Sequence, residues 1–341
     1  MLLVVSMLAS CGLVEGDGRH LQPLSSTIKG QMRNIGSSPS EAMLIRLFKE
    51  ESILEVWKRK ANGTYKLLKS YEICTWSGTL GPKFKEGDRQ APEGFYTVTP
   101  GLMNPKSSYY LSFNTGFPNK FDRAHGRTGS DLMVHGDCSS RGCYAMTDEQ
   151  IGEIYALGRD AFRGGQRSFQ LQLYPFRMSV KNLARHRNSP HMDFWRNIKI
   201  GYDAFEISKT VPNWDVCEGR YIFNAAGGKL NAHGACPTQS SKPELMAQVM
   251  QKQVKDLAEY EVLVAGYDAD EADKLALAEK RAAEKIASAE RTAALNEAVS
   301  QQTQGVTNAV GGFFEGLFGG GQKTSTPTNI ITPTPMPRIE R

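Results

Sequence analysis

Between Val134 and Met146 the chain reads Val-His-Gly-Asp-Cys-Ser-Ser-Arg-Gly-Cys-Tyr-Ala-Met, which places one imidazole and two thiols within nine positions. Thr147 and Gln150 follow with the spacing of a capping box, and Ile151, Ile154, Tyr155 and Gly158 continue a helical face that ends at a glycine. Cys143 is therefore expected on a tight, glycine-eased turn near a helix N-terminus. Backbone N–H groups and the helix dipole there favour a thiolate. A free cysteine has a pKa near 8.5, so only about 3% is thiolate at neutral pH. A neighbouring base such as His135 is the usual remedy.

The chain of 341 residues is long enough for one sizeable core plus appendages. Its formal charge of +5 is mild and spread out, and no Lys/Arg block argues for nucleic acid. No stretch approaches the apolar length of a transmembrane helix. The first eleven residues are an apolar run ending in small residues and Cys11. Leu8-Ala9-Ser10-Cys11 resembles a bacterial lipobox, in which the peptide is cut before the cysteine and the thiol is lipidated. No Lys or Arg precedes the run, which departs from the usual basic start of a signal peptide. The resemblance implies lipidation at Cys11 and membrane attachment by that anchor only. With Gly12 next, it also implies an outer-membrane, periplasm-facing location in a Gram-negative bacterium. Export implies an oxidising compartment. Five cysteines remain after Cys11, an odd number that hints at a free thiol. Cys217 and Cys236, both in a Gly/Pro-rich region, are the candidate disulfide.

The expected organisation follows the composition. Residues 1–11 are the signal segment and residues 12–41, with Ser/Pro/Gly clusters, a polar tether. Residues 42–176 carry short apolar runs around Met43–Phe48 and Ser52–Trp57, an Asn62-Gly63 turn, a loop from Gly87 feeding a strand to Val98, and an alternating strand at Phe169–Leu173. This predicts a mostly β domain with short helices. Residues 177–240 continue as an accessory globular extension, with Phe194 to Ile198 as the core face of a short helix. Residues 244–300 are helical, in two segments. The second has a stripe of Leu275, Ala282, Ile286, Ala289 and Ala293 that fits a solvated helix, one side of a weak coiled coil, or a docking face for a protein partner. Residues 301–341 read as a low-complexity, disordered tail with an apolar island at Phe313, Phe314, Leu317 and Phe318.

His135-Gly136 followed by Ser140-Arg141-Gly142-Cys143, with the upstream loop Gly87-Asp88-Arg89-Gln90-Ala91-Pro92-Glu93-Gly94-Phe95, resembles the signature of the L,D-transpeptidase catalytic domain (YkuD-like). The resemblance covers residues 42 to 176. Cys143 to Asp148 and the stretch His125 to Ser130 resemble a short-loop branch that includes a periplasmic peptidoglycan–lipoprotein amidase. Two features depart from the wider family: the short gap from His135 to Ser140, and Arg141 in place of a second histidine before Gly-Cys.

The resemblance implies an L,D-transpeptidase-like β-sandwich that uses no cofactor and no metal. It implies a Cys143 nucleophile that forms an acyl-enzyme at the diaminopimelate of a peptidoglycan stem peptide. His135 would be the proton acceptor and donor, with backbone N–H groups of Gly142, Cys143 and Tyr144 at the oxyanion. Arg141 is either a fork for a substrate carboxylate or a turn-surface arginine. Amine resolution of the thioester makes a transpeptidase for cross-linking or protein attachment. Water makes an amidase that releases an outer-membrane lipoprotein. A non-catalytic wall-binding lipoprotein is the alternative of a different class. Cys138 competes as nucleophile or as a disulfide partner of Cys143. A metal set of His125, His135, Cys138 and Cys143 matches no familiar zinc spacing, and His125 is expected to shape the loop or cleft.

Overall fold

The fold is built around a strand covered on both faces. The computed structural model describes residues 18–140 and 142–317, so Cys11, the segment 1–11, Arg141 and the tail from Phe318 onward lie outside the described residues. Strand β1 (Met43–Phe48) is apolar except for Arg46, and all six residues are buried. A continuous run of this kind fits a strand with layers on both sides. It pairs antiparallel with β2 (Ile53–Arg59), which pairs with β3 (Tyr65–Glu72) across the Asn62-Gly63 turn. The chain then alternates between two sheets through β4 (Thr75–Trp76), β5 (Gly94–Val98), β6 (Met103–Asn104), β7 (Ser112–Asn114), β8 (Met133–His135), β9 (Tyr144–Ala145) and β10 (Phe169–Tyr174). The strand orders are β3-β2-β1-β10-β5 and β4-β9-β8-β7-β6, with β1–β10 and β8–β9 the parallel pairs.

One core lies between the sheets. Met43, Ile45 and Leu47 of β1 share it with Phe113, Val134 and Tyr144 of the second sheet. Helix α1 (Ser26–Asn34) adds Ile28 and Met32, and the segment before it adds Leu24. The described part of the expected tether is therefore packed structure. Ser25 caps α1 by accepting from the Ile28 N–H, and Leu24, Ile28 and Met32 form a single buried row. Three apolar residues among polar ones make too thin a stripe to read as amphipathic. After α2 (Lys120–Ala124), helix α3 (Asp148–Arg163) starts at the expected Thr147–Gln150 capping box. It does not stop at Gly158. A Cβ there would lie 3.4 Å from Met103 and Phe169, so this glycine allows close packing inside the helix.

A second core covers the other face of the first sheet. Phe48, Phe95, Tyr174 and Phe176 meet Leu183 of α4 (Val180–Arg185) and Trp195 and Ile198 of α5 (Met192–Ser208). Val216, Tyr221 and Phe223 join them from the hairpin of β11 (Trp214–Cys217) and β12 (Arg220–Phe223). Arg46 belongs to this layer. Its guanidinium sits 4.4 Å from the Tyr202 ring centre and pairs with Glu206 at 2.5 Å. Cys217 and Cys236 form the expected disulfide.

Helix α6 (Pro243–Leu317) is one element where the sequence suggests two helical segments and a tail. Glycines at 305 and 312 lower helix propensity, but no proline occurs between Pro243 and Pro327 to break the run. The chain divides into units Met1–Asp268 and Ala269–Arg341. In the first unit α6 buries Val249 and receives Lys199 on Asp256. In the second, Leu275, Ile286, Leu295, Val299, Val306 and Phe313 are exposed. No helix among the described residues is long and apolar enough to cross a membrane.

Candidate active site

β8 and β9 place the imidazole and the thiol on one cavity. Val134 pairs with Tyr144 and His135 with Ala145 in parallel register. One step back along the same register, Cys143 falls beside Met133, two residues from His135 and on the same side. Strands about 4.8 Å apart with a rise of about 3.3 Å per residue place the Cys143 and His135 α-carbons roughly 8 Å apart. Both residues border one cavity of about 520 Å³, with Asn104, Lys106 and Tyr109 on its wall from the β6–β7 connection.

The tautomer of His135 follows from its partner. Nδ1 lies 2.6 Å from the Gly136 carbonyl oxygen. A carbonyl can only accept, so Nδ1 carries the proton and Nε2 keeps its lone pair. His135 is nearly buried, its ring centre is 4.8 Å from that of Tyr109, and burial pushes its pKa below the ordinary histidine value. Gly136 is needed for close approach: a Cβ there would lie 2.9 Å from the Tyr109 carbonyl and 2.5 Å from Asp148 Oδ1.

Cys143 is the free thiol among the described residues. Its Sγ donates to the Asp131 carbonyl at 3.6 Å and accepts from the Met133 N–H at 3.4 Å. Burial pushes the thiol pKa up, against the Met133 hydrogen bond, which lowers it. This corrects the expectation of a helix-stabilised thiolate. Cys143 leads into β9, and α3 begins only at Asp148, so the helix N-terminus is not at the sulfur. Both shifts favour the neutral forms, thiol and imidazole.

The turn before Cys143 is held by two serine hydroxyls. Ser140 Oγ donates to the Cys143 carbonyl at 2.7 Å and accepts from the Cys143 N–H at 3.1 Å. With its single proton spent, Ser140 accepts from Ser77 Oγ, 2.7 Å away. Ser77 Oγ accepts in turn from the Gly142 N–H at 2.7 Å. Gly142 has φ 119°, a conformation that favours glycine. Two of the three N–H groups expected at the oxyanion thus already have hydroxyl partners. The Tyr144 side chain is fully buried and donates to the Pro92 carbonyl at 2.6 Å, so it braces the turn from behind.

Cys138 is neither a competing nucleophile nor a partner of Cys143, because it is bonded to Cys74. Nothing in the sequence marks Cys74 as its partner, since they are 64 residues apart and meet only through the β4–β9 pairing. The four-residue metal set is not assembled. Cys138 is in a disulfide, His125 borders a different cavity, and no group of three or more potential metal ligands occurs among the described residues. The Gly87–Phe95 loop is a brace. Asp88 accepts from the N–H groups of Phe84, Lys85 and Gln90 and pairs with Lys83. Glu93 is buried against Lys49 at 2.9 Å and accepts from Trp195 Nε1 at 2.9 Å. Ser77, Lys106 and Tyr109 are contributors that sequence reasoning passes over, because serines, lysines and tyrosines in short connections carry no spacing signal.

Comparison with known proteins gives the chain its family. No family model matches the chain. The protein named "Putative L,D-transpeptidase YafK" in Escherichia coli strain K12 is 44% identical over 223 residues, 65% of this chain and 87% of that protein; its counterpart in strain O157:H7 gives the same figures. Among solved structures, the helical cell shape determining protein Pgp2 of Campylobacter jejuni overlaps with TM-score 0.30 at 23% identity, over 45% of this chain and 55% of that one. Bd1075 of Bdellovibrio bacteriovorus overlaps with TM-score 0.28 at 23% identity, over 40% of this chain and 49% of that one. The chain thus spans about half the length of these two solved structures. With 44% identity along most of the length of YafK, the chain belongs to the L,D-transpeptidase family.

Proposed function

We propose that the protein is a cysteine acyltransferase acting on peptidoglycan stem peptides. The observation that carries this reading is the free Cys143 thiol sharing a cavity with His135, whose Nδ1 is committed to the Gly136 carbonyl so that Nε2 is the available base. In the first step His135 Nε2 takes the Sγ proton as sulfur bonds to the acyl carbonyl of diaminopimelate. The Cys143 N–H, the donor nearest the sulfur along the chain, exchanges Ser140 Oγ for the oxyanion. Collapse breaks the C–N bond, the imidazolium protonates the departing amine, and a thioester remains. An amine of a second stem or of a protein then regenerates the thiol. Water in its place releases the acid and makes the enzyme an amidase. The reading places the protein in the periplasm, anchored through a lipid on Cys11.

The test is incubation with purified tetrapeptide muropeptides and, separately, with lipoprotein-linked sacculi, read by mass spectrometry. New stem–stem or stem–protein links identify the transferase; released lipoprotein without new links identifies the hydrolase. Cys143→Ala is expected to abolish either product and leave the fold intact. Turnover retained in that variant would falsify the assignment. Labelled palmitate is expected on the wild-type chain and not on Cys11→Ser.

A further inference from the structure

A second cavity, of about 640 Å³, is walled by Phe84, the end of α2, the first turn of α5 and the β11–β12 turn. Neither Cys143 nor His135 borders it. Arg127 does, and it is only 8% exposed. One of its nitrogens, Nη1, donates to Asp122 Oδ1 at 3.0 Å, while Nε is buried without a hydrogen-bond partner among the described residues. Its guanidinium lies 5.3, 4.9 and 5.3 Å from the ring centres of Phe84, Phe121 and Phe194. A buried cationic donor left unbonded is unfavourable until an acceptor arrives.

Arg196 and Arg220 stand at the rim, exposed and without an ion pair among the described residues. Arg196 rests over the Tyr260 ring, and Asp193 is the opposing carboxylate on the wall. The N-terminal end of the 17-residue α5 adds its partial positive charge. Three guanidiniums with aromatic walls suit a carboxylate carried on a chain, since arginine forks match carboxylate geometry.

The cavity is tied to the catalytic one by a short piece of backbone. Arg127 borders this cavity, and Asp131 borders the other and accepts from the Cys143 thiol. Four residues span at most about 14 Å, the reach of roughly four residues of extended peptide. We propose that this cavity is a subsite for a free carboxylate of the peptide substrate, remote from the bond that Cys143 attacks. The assignment rests on the peptide-acyltransfer reading of the Cys143 site.

The test measures binding without turnover. The full chain carrying Cys143→Ala is titrated calorimetrically with a disaccharide tetrapeptide whose carboxylates are free, and with the same compound fully amidated. The free form is expected to bind at least roughly tenfold tighter, the size of one lost charge-assisted contact. Arg196→Ala with Arg220→Ala is expected to remove that preference and, in the Cys143 enzyme, to raise KM with kcat little changed. Both arginines are exposed, so the fold is not at stake. Equal affinity for the two compounds, or full preference in the double variant, overturns the proposal. Displacement of the tetrapeptide by equimolar inorganic phosphate also overturns it, because the cavity is then a general anion site. Absence of turnover in the Cys143 enzyme would count against the catalytic reading alone, since the binding preference is read in the inactive chain.

Discussion

His135 and Cys143 have pKa values displaced in opposite directions by the same cause, burial beside one cavity. For His135 burial disfavours the charged imidazolium, so the neutral base persists to a lower pH than in a free histidine. For Cys143 it disfavours the thiolate, so the thiol persists to a higher pH. In the proposed reaction, proton transfer to His135 needs a neutral imidazole and is lost as pH falls through the depressed histidine value. A plot of log kcat/KM against pH is expected to show its acidic limb below the ordinary value of about 6.5 and no decline between about pH 7 and 8.5. An acidic limb at or above 6.5 would contradict a neutral resting pair. The same scale explains which of the candidate site residues the sequence brings to notice. His135, Gly142 and Cys143 stand close in sequence with recognisable glycines, whereas Ser77 reaches the turn from 63 residues away through Ser140.

At the scale of elements, the turn before Cys143 is tied to its neighbouring strand. The Cys74–Cys138 bond joins it to β4, and the Cys74 N–H bonds the Ala145 carbonyl at 2.9 Å. Replacing both cysteines by serine is expected to lower stability by about 2–4 kcal/mol in urea denaturation and to reduce turnover while Cys143 is intact. An unchanged urea midpoint and rate would show that the bond constrains nothing at the site. The loop before β5 hangs on the Lys49–Glu93 pair, both partners with no exposed side-chain surface. Lys49 also donates to the Gly81 and Ala91 carbonyls at 2.9 and 2.7 Å. Lys49→Met strands a buried carboxylate and is expected to cost about 3–5 kcal/mol, read from the same denaturation curves. A cost within about 1 kcal/mol would mean that water reaches Glu93 in the variant. Neither brace is marked in the sequence, since a lysine at a strand end and a glutamate in a loop read as surface residues.

For the molecule as a whole, the two cores and both disulfides lie in the unit Met1–Asp268. A chain ending at Asp268 is expected to keep its melting temperature within about 2 °C and its turnover per molecule, because the described residues beyond it bury almost nothing. A large fall in either would assign the second unit a part in folding or catalysis. The sequence by itself marked the strands of the first sheet and the α3 cap, offered Cys217 and Cys236 as a candidate bond, and set His135 and Cys143 close together along the chain. Each of these is written in local periodicity, short spacing or a compact motif. Only the tertiary structure decided that Leu24, Ile28 and Met32 close the core, that Arg46 lies beneath α5, and that Cys138 belongs to Cys74. It also decided that Arg127, Arg196 and Arg220 face one cavity. The reason is physical: these contacts join residues far apart in the chain, and their energies come from burial that exists only once the sheets and helices have packed.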